Sequence, residues 1–148
     1  MWLSVHGPTG AAITLATGDP VIGGLGAFVS HFLWDYVGES SLRDRFTAGI
    51  IEASCFGLFL VGAMLSGSFW LASFGYIMGC LPDLIDKPRK IIWGKESWFS
   101  CHNGPGLFSY KGYKLGYPVK IKLDDLHTLL VNYGITLLWL LGGYFYGI

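Results

Sequence analysis

GDPVIGGLGAFVSHFLWDYVGE, residues Gly18 to Glu39, is the stretch that decides how this chain is read. Gly18-Asp19-Pro20 is helix punctuation: Pro20 suits the first turn of a helix and Asp19 its cap. After Pro20 comes an apolar run rich in small residues, which predicts a helix from Pro20 to about Val37. Inside that run His31 and Asp35 stand four apart, so they stack on one helix face and can point at one centre. They can share a metal ion, or they can form a hydrogen-bonded pair that locks the helix; spacing alone leaves both open. Ionisable groups in apolar helices are costly and tend to face a cavity or a bundle interior, which tilts the reading toward function.

The rest of the chain has the same apolar character. Of 148 residues, 52% are hydrophobic and only 14% charged, and the mean hydropathy of +0.48 is higher than in ordinary soluble domains. The expected fold is therefore all-α: one domain, an integral membrane bundle of four or five helices with a large extramembrane loop. Twenty-two glycines without a collagen period suit closely packed helices. Ten basic against ten acidic residues give no net field, so no nucleic-acid partner is expected. Cys55, Cys80 and Cys101 lack Cys-x-x-Cys spacing and read as reduced fillers. The opening MWLSVHGPTG has no basic region before its apolar residues and is expected to stay in the mature protein.

Outward from Gly18 to Glu39, a first helix is expected from about Thr9 to Thr17, making a helical hairpin of residues 1–37. After the polar segment GESSLRDR, a long apolar run from Phe46 to Leu81 is interrupted by Ser66-Gly67-Ser68 and reads as a second hairpin, 46–81. At about 1.5 Å per residue, Phe46 to Leu65 covers roughly 30 Å, one hydrocarbon thickness. Residues 82–123 collect most of the lysines, four of the six prolines and several aromatics, and are expected to form a cytoplasmic-side loop. A last membrane helix is expected over 124–148, its two leading aspartates complementing the helix dipole. Arg43, Arg45, Lys87, Arg89, Lys90 and Lys95 put the ends of the second hairpin on the cytoplasmic side of an inner membrane by the positive-inside rule. His6, Asp35, Glu39, Asp83, Asp86 and His127 then share one membrane face.

Several of these residues suit metal chemistry. LPDLID, residues Leu81 to Asp86, sets two carboxylates three apart where a helix is expected to end, in a turn. His6 precedes Gly7-Pro8, His102 lies in SCHNG and His127 stands one turn into the last helix. Each alone is more often a surface or hydrogen-bonded side chain. As a set, histidine and carboxylate are the ligands that zinc, manganese or iron take. Glu52 is read as snorkelling to the interface or pairing with Arg45 or Arg43, and is left outside the site. Gly75-x-x-x-Gly79 and Gly143-x-x-x-Gly147 match a helix-packing motif, though chance matches are common in so glycine-rich a chain. Trp93, Trp98, Phe99, Tyr110, Tyr113 and Tyr117 read as an interfacial belt beside lipid or as a packed lid. No phosphate-binding glycine loop, Gly-x-Ser-x-Gly elbow or His-Glu-x-x-His pair is present.

Together, VHGPTGAAI, GDPVIGGLGAFVSHFLWDYVGE and LPDLIDKP resemble the small predicted membrane-bound metal-dependent hydrolases, related in motif to the zinc-dependent phospholipase C type. The matching positions are His6, the pair His31 and Asp35, and Asp83 with Asp86, within the first 90 or so residues. Where such proteins often continue with Pro-His after the aspartate, this chain has Gly38-Glu39. The resemblance implies a metal site and, beyond it, hydrolysis.

The expectation is a divalent ion, zinc first with manganese or iron as alternatives, held by His6, His31, Asp35, Asp83 and Asp86. Such an ion lowers the pKa of water from 15.7 to about 7 and polarises a phosphoryl oxygen, which suits hydrolysis of a phosphoester such as a lipid phosphate. Glu39 or His127 is the expected general base and His102 the expected donor to the leaving group. The alternative is a non-enzymatic membrane scaffold or homo-oligomer with a structural His/Asp site. Ion or proton translocation ranks last, since few polar residues beyond Glu52 and His31 lie within the expected spans.

Overall fold

The computed structural model describes residues 3–38, 45–95, 98–99, 108–110, 113–115, 121–122 and 125–146. The fold is all-helical in its frame: α1 (Leu3–Thr17), α2 (Pro20–Tyr36), α3 (Arg45–Leu65), α4 (Phe69–Trp93) and α5 (Asp125–Tyr146). Four short strands complete the described elements: β1 (Val37–Gly38), β2 (Phe108–Tyr110), β3 (Tyr113–Leu115) and β4 (Ile121–Lys122). β1 pairs in parallel with β4, Val37 opposite Ile121, and β2 pairs antiparallel with β3, Tyr110 opposite Tyr113.

α2 begins where its punctuation says. One oxygen of Asp19 accepts the N–H groups of Val21 (2.7 Å) and Ile22 (3.0 Å), satisfying two of the donors that a helix start leaves open. α1 starts earlier than expected and runs through Pro8. Proline has no N–H for the carbonyl four residues back. The Ser4 carbonyl so left over faces the Thr136 hydroxyl of α5 at 3.3 Å, a hydroxyl that it shares with the nearer Asn132 carbonyl at 2.9 Å.

α4 differs most from expectation. The helix expected to stop at Leu81 continues twelve residues further, through Pro82 and Pro88, and ends at Gly94 in the left-handed conformation, φ 59°. Cys80, Pro82, Asp83 and Asp86 are buried there, so packing outweighs the proline penalty, about 3 kcal/mol in an isolated helix interior. LPDLID is therefore helical, and its carboxylates sit on one face rather than in a turn.

Packing also departs from two separate hairpins. α4 lies against α1 and α2, while α3 packs chiefly on α5 and touches α4 little despite the short Ser66–Ser68 connection. The α1/α4 seam is built from small residues. A methyl on Gly79 would overlap the His6 carbonyl, one on Gly75 the Gly10 carbonyl and the Thr14 side chain, and one on Gly10 the Gly75 carbonyl. Gly75-x-x-x-Gly79 is thus a true contact. Gly147 lies outside the described residues.

The main apolar cluster joins Ala11, Phe59, Ala63, Ala72 and Trp139, with the Phe59 and Trp139 rings 5.6 Å apart. Among the described residues no helix is long and apolar enough to cross a membrane. α1 and α2 have 15 and 17 residues, and the second half of α4 carries Asp83, Asp86, Lys87, Arg89 and Lys90. The full spans expected at Phe46–Leu65 and 124–148 are therefore not met.

Candidate metal centre

The close α1/α4 approach and the packing of α2 over both bring three helices to one end of the bundle. His6 stands in the first turns of α1, His31 and Asp35 one turn apart in the second half of α2, and Asp83 past the middle of α4. All four are buried. One ligand atom each from His6, His31 and Asp83 lies within 4.8 Å of the others. Asp35 joins them, with Oδ1 3.3 Å from His6 Nε2 and Oδ2 3.3 Å from His31 Nε2. The imidazoles stack face to face, centroids 3.9 Å apart.

The hydrogen-bond directions are more informative than the distances. His31 Nδ1 is 2.8 Å from the Gly79 carbonyl, which can only accept, so the proton sits on Nδ1. In the neutral ring Nε2 then presents a lone pair to Asp35 Oδ2. A lone pair and a carboxylate oxygen at that range repel unless a proton or a metal cation lies between them. Metal-bound histidines commonly donate their other ring N–H to a backbone carbonyl, as His31 does.

His6 is held differently. Nδ1 makes no hydrogen bond among the described residues, and Nε2 faces Asp35 Oδ1 at 3.3 Å, a long contact at the edge of hydrogen-bonding range. Burial pushes the His6 imidazole down from 6.5 to about 4; Asp35 resists that shift and the neighbouring His31 ring adds to it. The ring is therefore neutral near pH 7, the form in which histidine coordinates metal.

The donor set fits a divalent ion. Ligands about 2.1 Å from a tetrahedral ion lie about 3.4 Å from each other; Asp35 meets the two histidines at 3.3 Å through a different oxygen each, and the His6, His31 and Asp83 ligand atoms lie within 4.8 Å of one another, so a bound ion would draw these donors inward. Two neutral imidazoles with Asp35 and Asp83 would balance a charge of two.

Asp86, one turn beyond Asp83, is engaged with the chain just past α4. Its oxygens accept the backbone N–H groups of Trp98 (2.8 Å) and Phe99 (3.0 Å). Phe99 in turn rests against Phe28 and Phe32 of α2, and the Arg89 guanidinium lies 4.7 Å over the Trp98 ring. Asp86 therefore ties this segment beside the site. Glu39 and His102 lie outside the described residues; His127 is on α5, but its side chain is not described.

Sequence reasoning missed three contributors. Gly79, read only as a packing residue, fixes the His31 tautomer through its carbonyl. Glu52, set aside as an arginine partner, accepts the Ser4 backbone N–H at 2.9 Å and so caps α1 two residues before His6. Lys87, used only for topology, places Nζ 3.3 Å from Asp83 Oδ2. The Asp83 to Lys87 spacing of four signals that pair once LPDLIDK is known to be helical.

Comparison of the chain with protein-family models, with curated proteins and with solved structures finds no match.

Proposed function

We propose that the protein is a metal-dependent hydrolase of phosphoesters, with His6, His31, Asp35 and Asp83 holding a divalent ion, zinc first and manganese or iron next. One observation carries the reading: with His31 Nδ1 donating to the Gly79 carbonyl, Nε2 is left facing Asp35 at 3.3 Å inside a buried cluster with His6 and Asp83. When bound, the ion would supply Lewis acidity, polarising a phosphoryl oxygen and lowering the pKa of water. Asp35 would hold both histidines in register, and Asp86 would keep Trp98 and Phe99 against the rim. Glu39, directly after β1, and His127, in the first turn of α5, are proposed as general base, with His102 as donor to the leaving group.

The proposed setting is a membrane, with the site at its cytoplasmic face and a lipid phosphate as substrate. Support comes from an inside-out polarity. Val21, Ile22, Leu25, Val29 and Leu33 expose one apolar face of α2, and Leu130, Leu137, Leu138 and Leu141 expose another on α5, whereas histidines and carboxylates lie inside. If the purified protein partitions into water rather than detergent on phase separation, this setting is wrong.

A structural role is favoured by one opposing observation, the complete burial of His6 and His31. Metal analysis of detergent-purified wild type beside Asp35→Ala tests the site. About one equivalent of metal in the wild type and none in the variant is expected. A wild type without stoichiometric metal overturns the hydrolase reading. Loaded protein that turns over neither phosphodiesters nor lipid phosphates leaves a structural metalloprotein.

A further inference from the structure

We infer that Trp98 and Phe99 form a latch over the buried cluster, held shut by Asp86, and that entry to His6 and His31 needs this latch to release rather than the helices to part. What enters rests on the proposed metal site; where it enters rests on the packing alone. Asp86 is buried on α4, one turn beyond Asp83. Each of its oxygens accepts one backbone N–H, Oδ1 from Trp98 at 2.8 Å and Oδ2 from Phe99 at 3.0 Å. The Phe99 ring reaches α2, its centroid 6.1 Å from that of Phe28 and 5.6 Å from that of Phe32. Phe32 in turn meets the His31 ring edge-on at 5.7 Å. The segment therefore bridges the two helices that carry His31, Asp35 and Asp83.

Anything the site binds must reach four buried side chains. The helix seams offer no way in, because they are closed by backbone contact. A methyl on Gly75 or Gly79 of α4 would overlap a carbonyl of α1, and one on Gly23 of α2 would overlap the Thr14 backbone. The His31 Nδ1 bond to the Gly79 carbonyl ties α2 to α4 as well. Parting these helices would undo close packing over their length. The hold on Trp98 and Phe99 is of another kind. It includes two charge-assisted hydrogen bonds and a ring-on-ring contact, which can be lost in a local opening while the helices stay packed. Helix capping does not account for the arrangement, since Gly94 already closes α4 by returning its N–H to the Arg89 carbonyl. The buried Asp86 carboxylate is spent instead on two N–H groups from beyond the helix.

The test labels histidines with diethyl pyrocarbonate in metal-free, detergent-purified wild type, Asp86→Ala and Phe99→Ala, and reads the His6 and His31 peptides by mass spectrometry. N-ethylmaleimide labelling of Cys55, buried in α3 in the other half of the bundle, reports global unfolding. Labelling of a buried group follows the population of the open form. Removing two hydrogen bonds to a carboxylate should raise labelling of His6 and His31 in Asp86→Ala by about ten- to a hundred-fold. Phe99→Ala should raise it too, with Cys55 still protected in both. In metal-loaded protein, release to excess chelator should quicken in the same order at unchanged metal content. Labelling equal to wild type in either variant overturns the inference. So does Cys55 labelling that rises in step, because the helices would then be parting. Loss of bound metal from Asp86→Ala without faster histidine labelling overturns it as well, since Asp86 would be a ligand rather than the holder of a latch. A wild type that takes up no metal fails the proposed function, while the histidine labelling still decides the latch.

Discussion

The two halves of the bundle bury polar groups in opposite ways. Between α1, α3 and α5 the polar side chains are matched and, apart from the Glu52 carboxylate that accepts the Ser4 N–H, neutral. Ser4 Oγ donates to Asn132 Oδ1, the Thr136 hydroxyl reaches the Ser4 carbonyl, Trp139 Nε1 donates to the Phe59 carbonyl, and Ser54 meets the Tyr133 hydroxyl. Between α1, α2 and α4 they are ionisable and clustered: Asp35 stands 3.3 Å from both His6 Nε2 and His31 Nε2, and His31 Nδ1 meets the Gly79 carbonyl. Matched neutral groups act as packing contacts that fix helix register. Buried, clustered ionisable groups are costly to keep unless they are paired or put to use, which is why the second half reads as a candidate site.

That contrast can be broken. Gly79→Ala strikes the site half directly beside His6, since the new methyl meets the backbone of His6 and Gly10 and neither can rotate away. It should cost about 3 kcal/mol or more in thermal unfolding and abolish metal uptake, because α1 and α4 must separate.

Acid should act next. Folded His6 titrates near 4 against 6.5 when unfolded, so below pH 6.5 the unfolded chain takes up a proton that the folded chain refuses. The stability that the neutral ring contributes is full above pH 6.5 and is lost as pH falls toward 4. The loss is on the order of 3 kcal/mol, measured by unfolding of metal-free protein across that window. His6→Gln should flatten the slope.

Thr136→Val gives the smallest effect and the sharpest comparison. The hydroxyl is shared between the Asn132 carbonyl and the Ser4 carbonyl, to which Pro8 cannot donate, so its loss removes one shared hydrogen bond, at a cost of about 1 kcal/mol. Metal content should stay that of the wild type. A large loss of metal in Thr136→Val would erase the distinction between the two halves.

Much of this architecture is legible along the chain. Asp19-Pro20 sets the start of α2, and four-residue spacing puts His31 and Asp35 on one face, because helix caps and helical periodicity are local properties. The meeting of His6, His31, Asp35 and Asp83 also follows from tracing helix ends. The course of α4 through Pro82 and Pro88 does not, since local propensity ends a helix there and only burial against α1 and α2 carries it on. Nor does the partnering of α3 with α5, which depends on how side chains interlock.

The sequence by itself determined where α2 begins, that His31 and Asp35 share a helix face, and which side chains are able to take up a cation, since these depend on residue type and short spacing. Only the tertiary structure decided that the Gly79 carbonyl orients His31, that Asp86 holds Trp98 and Phe99, and that Lys87 stands beside Asp83 at the surface. Two of those contacts join separate segments of the folded chain, and the third needs Pro82 inside a helix, so each exists only once the helices have packed.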